Sequence, residues 1–255
     1  MIINHGFIKN KLKIIYNNTI FFNQRYGGIS RYYDSIFKIF IQKKIEFKVI
    51  SPIYKNIYLK NLSHKFKTGI YIPRYPMSKI IKKFNDTLSY KLINKCKYEI
   101  LHDTYYTPSL SKIKNKKKFL TIHDLIHEKL NHYYHFKDLI NYKKKIFENI
   151  DNFICVSNTT KEDFLNIYKI PEEKVKVIYH GSDHLDSIKI NKNNKKFKFK
   201  DALNKPFILY VGNRNRYKNF EILINSFKNS AELNDNFNIV CFGGEKISKI
   251  VKYFT

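Results

Sequence analysis

The stretch Phe21-Phe22-Asn23-Gln24-Arg25-Tyr26-Gly27-Gly28-Ile29-Ser30-Arg31-Tyr32-Tyr33 decides how the rest of the chain is read. Before it, Leu12 to Ile20 is apolar and β-prone; after it, Ile29, Tyr32, Tyr33, Ile36, Phe37 and Phe40 recur at helical spacing. The paired glycines therefore fall where a strand gives way to a helix N-terminus. Such a turn suits an anion, because its amides have no intrahelical partner, the macrodipole adds positive charge, and glycine lets a ligand come close. Arg25 and Arg31 flank it with guanidinium forks. The spaced glycines of a dinucleotide fingerprint are missing, so the turn taken alone also reads as a plain tight turn.

The same strand-then-helix alternation continues outward. Phe47 to Ile50 reads as a short strand, Ser51 to Pro76 as an irregular segment, and Met77 to Cys96 as a helix. Strands follow at Tyr98 to Asp103 and Phe119 to Asp124, each ending in His-Asp, then a helix from Phe136 to Ile150 and a strand from Asn152 to Val156. Ser157, Asn158 and Thr159 offer N-caps for a helix through Tyr168, with Glu162 placed for a capping box, and Val175 to Tyr179 closes on His180-Gly181. Repeated alternation of this kind predicts an α/β doubly wound parallel sheet, whose ligands bind beyond the carboxyl ends of its strands. Gly27-Gly28, His102-Asp103, His123-Asp124 and His180-Gly181 are then expected on one rim.

Ser182 to Lys205 is polar and aperiodic, and a second unit starts at Pro206. Phe207 to Val211 is a strand running into Gly212-Asn213-Arg214-Asn215-Arg216-Tyr217-Lys218-Asn219, a helix carries Phe220, Leu223, Ile224 and Phe227, and Phe237 to Phe242 is another strand. The domain reading is 1–185 as a Rossmann-like unit, 186–205 as a linker, and 206–255 as a partial second Rossmann-like unit.

Composition sharpens the choice of residues. The chain holds 255 residues with 43% hydrophobic and 16% aromatic side chains, enough for one large or two modest cores. Only five of the 48 basic residues are arginine, in a background over-rich in Lys, Asn, Ile, Tyr and Phe. Where arginines and glycines fall is thus informative: Arg25, Arg31, Arg214 and Arg216 lie in two short stretches, and six of eight glycines follow predicted strands. The formal charge of +27 is spread along the chain with no recognition-helix, RNP or zinc-finger pattern, which speaks against specific nucleic-acid binding. Cys96, Cys155 and Cys241 are odd in number and far apart, giving no disulfide framework or metal knuckle. With no signal-peptide core and no apolar run of roughly 20 residues, the expectation is a soluble cytoplasmic protein.

Five motifs in order carry a resemblance: Gln24 to Tyr32, Thr121-Ile122-His123-Asp124, Val156 to Thr160, Val177 to Gly181, and Tyr210-Val211-Gly212-Asn213-Arg214 through Tyr217-Lys218-Asn219. Together the chain resembles glycosyltransferase family 4, the retaining GT-B class. The resemblance implies transfer of a sugar, of hexosyltransferase type, from a nucleotide-diphosphate donor across a cleft between two Rossmann-like domains, with no metal or other cofactor. It implies Arg214 and Lys218 as the donor-diphosphate pair, with Arg216 sharing or taking that role. His123 is implied as a catalytic contact to the donor sugar, with Asp124 orienting its imidazole; Gly27, Gly28 and Arg31 form the glycine-rich loop. His102 and Asp103 are weaker candidates. The implied partners are a nucleotide sugar and a saccharide, lipid or protein acceptor, with peripheral membrane contact left open. The family's Glu-x7-Glu motif has no counterpart before Thr255, and Glu245 falls too early. A truncated enzyme, a piece of a split protein, and a non-catalytic carbohydrate- or protein-binding remnant are the readings this leaves.

Overall fold

The computed structural model describes residues 13–75, 78–130, 132, 138–181, 205–214 and 216–243. Residues 13–129 and 138–181 belong to one compact unit and 205–243 to a second. Of the expected linker over 186–205 only Lys205 is described, and the segment after Gly243, with Glu245, lies outside the described residues.

The first unit is built on a parallel sheet of seven strands. In chain order these are β1 (Lys13–Tyr16), β2 (Glu46–Tyr54), β3 (Lys67–Tyr71), β4 (Ile100–Asp103), β5 (Lys117–Ile122), β6 (Asn152–Cys155) and β7 (Val175–Val177). Their spatial order is β3-β2-β1-β4-β5-β6-β7, so the chain moves outward from β1 to β3, crosses back, and moves the other way from β4 to β7. The switch point lies between β1 and β4, which is where such sheets open a crevice.

Side-chain alternation explains why both faces are covered. Ile14 and Tyr16 enter one core with Tyr33 and Phe37 of α2 (Gly28–Gln42), while Ile15 enters another with Ile93 of α4 (Lys79–Asn94). A third core gathers Leu120, Ile122 and Phe153 under α6 (Leu139–Phe147) and α7 (Asn158–Tyr168). Three short helices complete the described part of the unit: α1 (Thr19–Asn23), α3 (Ile57–Asn61) and α5 (Ile126–Lys129).

The switch point is closed by a buried polar network. Asp103, 1% exposed, accepts from Thr107 N–H at 2.7 Å, the Thr107 hydroxyl at 2.8 Å, Tyr105 N–H at 3.2 Å and the Asn17 amide at 2.9 Å. Asn17 Oδ1 in turn accepts from both the N–H and the hydroxyl of Thr104, each at 2.7 Å. This joins the end of β1 to the end of β4, and it turns the chain so tightly that Tyr106 takes a φ of +44°.

The structure corrects four local readings. The strand expected over Leu12 to Ile20 stops at Tyr16, and Thr19–Asn23 forms the buried helix α1; a short apolar run does not distinguish a strand from a buried helix. The segment read as irregular from Ser51 holds, over its described residues 51–75, the second half of β2, α3, a short 3-10 turn and β3. Ser157 caps α7 and accepts from Thr160 N–H at 3.1 Å, so Thr160 takes the place three residues on and Glu162 makes no capping box. The second unit has β8 (Phe207–Val211), α8 (Phe220–Asn229), a further helix α9 (Ala231–Asn236) and β9 (Asn238–Phe242), with β8 and β9 paired in parallel.

Pro52 and Gly69 are the parts of a bulge. The β2–β3 register shifts between Ile50 and Ile53, around Pro52. Opposite it Gly69 has φ +131°, and a Cβ there would lie 1.7 Å from the Ser51 carbonyl oxygen. Gly69→Ala is therefore expected to cost at least about 1–3 kcal/mol and to lower the melting temperature by roughly 5 °C or more. An unchanged calorimetric transition would show that the bulge yields freely.

Candidate functional site

The carboxyl ends of β1, β4, β5 and β7 bring the predicted rim residues together. α2 opens at Gly28, as the glycine pair indicated, with Gly27 extended at φ 171° as its N-cap. The first turn is not bare, however. The Ser30 N–H donates to Gln24 Oε1 at 3.4 Å, and a Cβ on Gly27 would lie 2.6 Å from that same oxygen. A side chain at position 27 would displace the Gln24 carboxamide from beneath the turn, whereas the space around Gly28 is open. Arg25 and Arg31 are both exposed beside it.

Tyr32, one turn into α2, is the centre of the rim. Its ring meets His123 edge-on at 5.1 Å between centroids and lies tilted over His180 at 5.0 Å, and the two histidines are 6.0 Å apart. Its hydroxyl is 3.4 Å from the Thr121 hydroxyl, which is hydrogen-bonded at 2.9 Å to His102 Nε2. His102 is itself stacked on Tyr16 at 5.1 Å. Sequence reading placed Tyr32 in the apolar stripe of α2 and assigned nothing to Thr121; neither residue type at that spacing announces a rim position.

The histidines differ in what they can do. His102 is buried and bonded to Thr121, a structural part of the rim. His123 has a buried Nε2 with no hydrogen-bond partner, so it is the imidazole here with capacity to spare. Burial first, and its neighbour His180 second, hold its pKa down to about 4; burial and then His123 hold His102 down to about 3. Both are neutral at physiological pH. The expected pairing of His123 with Asp124 is absent: Asp124 is exposed and accepts from Ile126 N–H at 3.2 Å, an Asx turn leading into α5.

What fixes this turn is a residue the sequence did not flag. Glu128 on α5 has a side chain 1% exposed and accepts from Lys143 Nζ at 2.7 Å and the Tyr168 hydroxyl at 2.6 Å. Lys143 also lies 4.2 Å from the ring centre of Tyr106. One buried ion pair thus fastens the segment after His123 to α6 and α7. A lone glutamate and one lysine among many carry no sequence signal for this.

In the second unit Arg214 follows β8 and donates from Nη1 to the Gly243 carbonyl at 2.8 Å, tying the ends of β8 and β9. Gly212 and Gly243 flank it at φ +127° and +76°. Lys218 is exposed, with Nζ 5.1 Å from the Tyr217 ring centre. Arg216 opens the short 3-10 turn Arg216–Lys218, and its side chain lies outside the described residues.

The histidines set a pH dependence. The unfolded chain takes up these protons near the ordinary value of 6.5, the folded chain near 3 and 4. Their stabilisation is whole above pH 6.5 and drains as pH falls through the window below it, at about 1.4 kcal/mol per histidine per pH unit. Asp103, pushed up by burial, acts in the opposite sense, so the useful comparison is with a variant. His102→Phe is expected to lower the stability lost between pH 6.5 and 5 by about 2 kcal/mol, read from urea unfolding at both values; an unaltered loss would mean that His102 is charged in the folded chain.

Comparison with known proteins follows this geometry. The family profile described as Glycosyltransferase Family 4 matches residues 26–184. No curated protein matches the sequence. Among solved structures, a glycosyltransferase from Rickettsia africae ESF-5 is similar at 20% identity and TM-score 0.57, covering 93% of this chain and 69% of that one. Anabaena Alr3699/HepE in complex with UDP and glucose is similar at 13% identity and TM-score 0.66, covering 95% and 63%. The lipopolysaccharide outer core galactosyltransferase WaaB is similar at 13% identity and TM-score 0.57, covering 95% and 64%. The chain therefore has the GT-B glycosyltransferase fold over a length that spans between 63% and 69% of these structures.

Proposed function

This chain belongs to glycosyltransferase family 4, and we propose that its two units divide the transfer of a hexose from a nucleotide-diphosphate sugar to an acceptor, with retention of configuration. The observation that carries this reading is the His123 imidazole: neutral, with an unpartnered Nε2, on the rim opened by Gly28. A neutral imidazole offers a hydrogen bond to a sugar hydroxyl without placing a cation beside a developing oxocarbenium centre. On this reading residues 1–185 form the acceptor side, 186–205 a linker, and 206–255 part of the donor side. Gly28 and Arg31 present an amide turn and a guanidinium to an anionic group. Asp124 serves by holding the Asx turn that leads from His123 into α5.

Arg214 and Lys218, with Arg216 beside them, neutralise the departing diphosphate in place of a metal ion. Arg214 spends part of its five-donor fork on the Gly243 carbonyl and the Cys241 sulfur and offers the remaining donors to phosphate oxygens at the strand end. The complexes of Anabaena HepE with UDP and with UDP-glucose support a nucleotide-sugar donor. A second reading is a non-catalytic carbohydrate- or protein-binding module.

Calorimetric titration with UDP-sugars and GDP-sugars, beside product analysis with a full-length relative as control, separates the two. Binding of one donor is expected, weakened roughly tenfold or more in Lys218→Ala with the melting temperature within about 2 °C of wild type, since Lys218 is an exposed loop residue. Failure of every nucleotide sugar to bind would leave the fold and remove the transferase reading.

A further inference from the structure

Arg74 is the one arginine outside the two short arginine-bearing stretches, and the fold brings it back beside the first of them. It lies three residues past the end of β3, while Arg25 follows α1 and Lys55 follows the last residue of β2. Backbone bonds lace these segments together. The Lys55 N–H donates to the Phe21 carbonyl at 3.3 Å, the Ile57 N–H to the Arg25 carbonyl at 2.9 Å, and the Ile72 N–H to the Tyr54 carbonyl at 2.8 Å. Tyr75 closes the group: its hydroxyl donates to the Phe22 carbonyl at 2.6 Å, its ring stacks on Phe22 at 4.9 Å, and Lys55 Nζ lies 5.6 Å from its centre. Arg25, Lys55 and Arg74 thus stand on three separate segments at the carboxyl ends of β1, β2 and β3, on the half of the rim away from His123.

This corner of the rim carries cations and no acid. No Asp or Glu occurs before Asp34 or between Glu46 and Asp86, and Asp86 itself accepts from Asn18 Nδ2 at 2.8 Å. Arg25 and Arg74 are exposed, and among the described residues neither has an ion pair. Lysines strung along a helix face are a solvated surface in so basic a chain. Cations gathered from three segments onto a hydrogen-bonded frame are different, because they repel one another and no acid in these segments offsets that cost. Burial holds the Lys55 pKa below the usual ammonium value, so its charge gains from an anion placed beside it.

We propose that Arg25, Lys55 and Arg74 form a subsite for the phosphate monoester of a saccharide. Two guanidinium forks and one ammonium match a dianion with three terminal oxygens. Tyr26, 69% exposed next to Arg25, offers an aromatic face to the sugar ring. That the phosphorylated saccharide is the acceptor rests on the transferase reading; the subsite itself does not.

Calorimetric titration of the full chain with glucose 1-phosphate, glucuronate and glucose, at about 0.1 M and about 0.5 M salt, tests it. Glucose 1-phosphate is expected to bind more tightly than either other sugar, and less tightly at the higher salt. Arg25→Gln with Arg74→Gln is expected to weaken it roughly tenfold or more, with a melting temperature within about 2 °C of wild type because both residues are exposed. Lys55→Gln weakens it in the same sense, whereas Lys144→Gln with Lys145→Gln, an exposed pair on α6, does not. No binding of glucose 1-phosphate, equal affinity for glucuronate, or an equal loss from the Lys144 and Lys145 variant would overturn the proposal. So would full affinity in the Arg25 and Arg74 variant with loss in Lys218→Ala, which would put the phosphate on the second unit. Sugar-phosphate binding without nucleotide-sugar binding keeps the subsite and removes the transferase reading; nucleotide-sugar binding alone does the reverse.

Discussion

A single buried carboxylate sets the geometry on which the first unit depends. Asp103 stands at the point where the strand order reverses, with four hydrogen bonds directed at it from Asn17, Tyr105 and Thr107. Leaving a buried acid without these donors is costly, so the ends of β1 and β4 and the loop after β4 are constrained together. The constraint propagates through Thr104, whose hydroxyl accepts from Ile20 N–H at 3.1 Å and so holds α1. It reaches Tyr33 as well, which donates to the Asp103 carbonyl at 3.4 Å. The crevice expected at such a switch point is here filled by protein, and the open chemistry moves sideways to Tyr32, His123 and Gly28.

That displacement explains how much could be read from sequence. The alternation of apolar runs with helical periodicity revealed the doubly wound sheet, because a parallel sheet must be apolar on both faces and its helices on one. Gly28 at the start of α2 and the His-Asp endings of β4 and β5 were legible for the same reason: polar residues that interrupt an apolar strand mark its end. The two His-Asp pairs nevertheless do unlike jobs. Both members of the first are buried in the structure, while in the second His123 has an Nε2 without a hydrogen bond and Asp124 holds the turn into α5. Burial separates them, and burial is a property of the fold.

The misreadings share a cause: long-range partners override local propensity. Pro52 and Gly69 break strands in isolation but fit a bulge when β2 and β3 lie side by side. Gln24 is an ordinary polar residue until the glycine turn brings its carboxamide under Ser30, where it supplies an oxygen to the helix N-terminus. Glu128 and Lys143 are fifteen residues apart in sequence and become a buried pair only when α5 meets α6. A site assembled from such contacts shows its glycines and histidines in the sequence and hides the groups that hold them.

The second unit has a different kind of consequence. In its two-stranded parallel sheet, Phe207, Leu209, Val211 and Phe242 share one face by register, and each is between 46% and 70% exposed. Apolar surface that is already hydrated in the native state is not newly hydrated on unfolding. It adds little to the heat-capacity increment, which scales with apolar area newly exposed. Among the described residues, the three aromatic and aliphatic cores of the first unit therefore supply most of the curvature of stability against temperature, and residues 205–243 contribute less to it than their apolar content alone indicates.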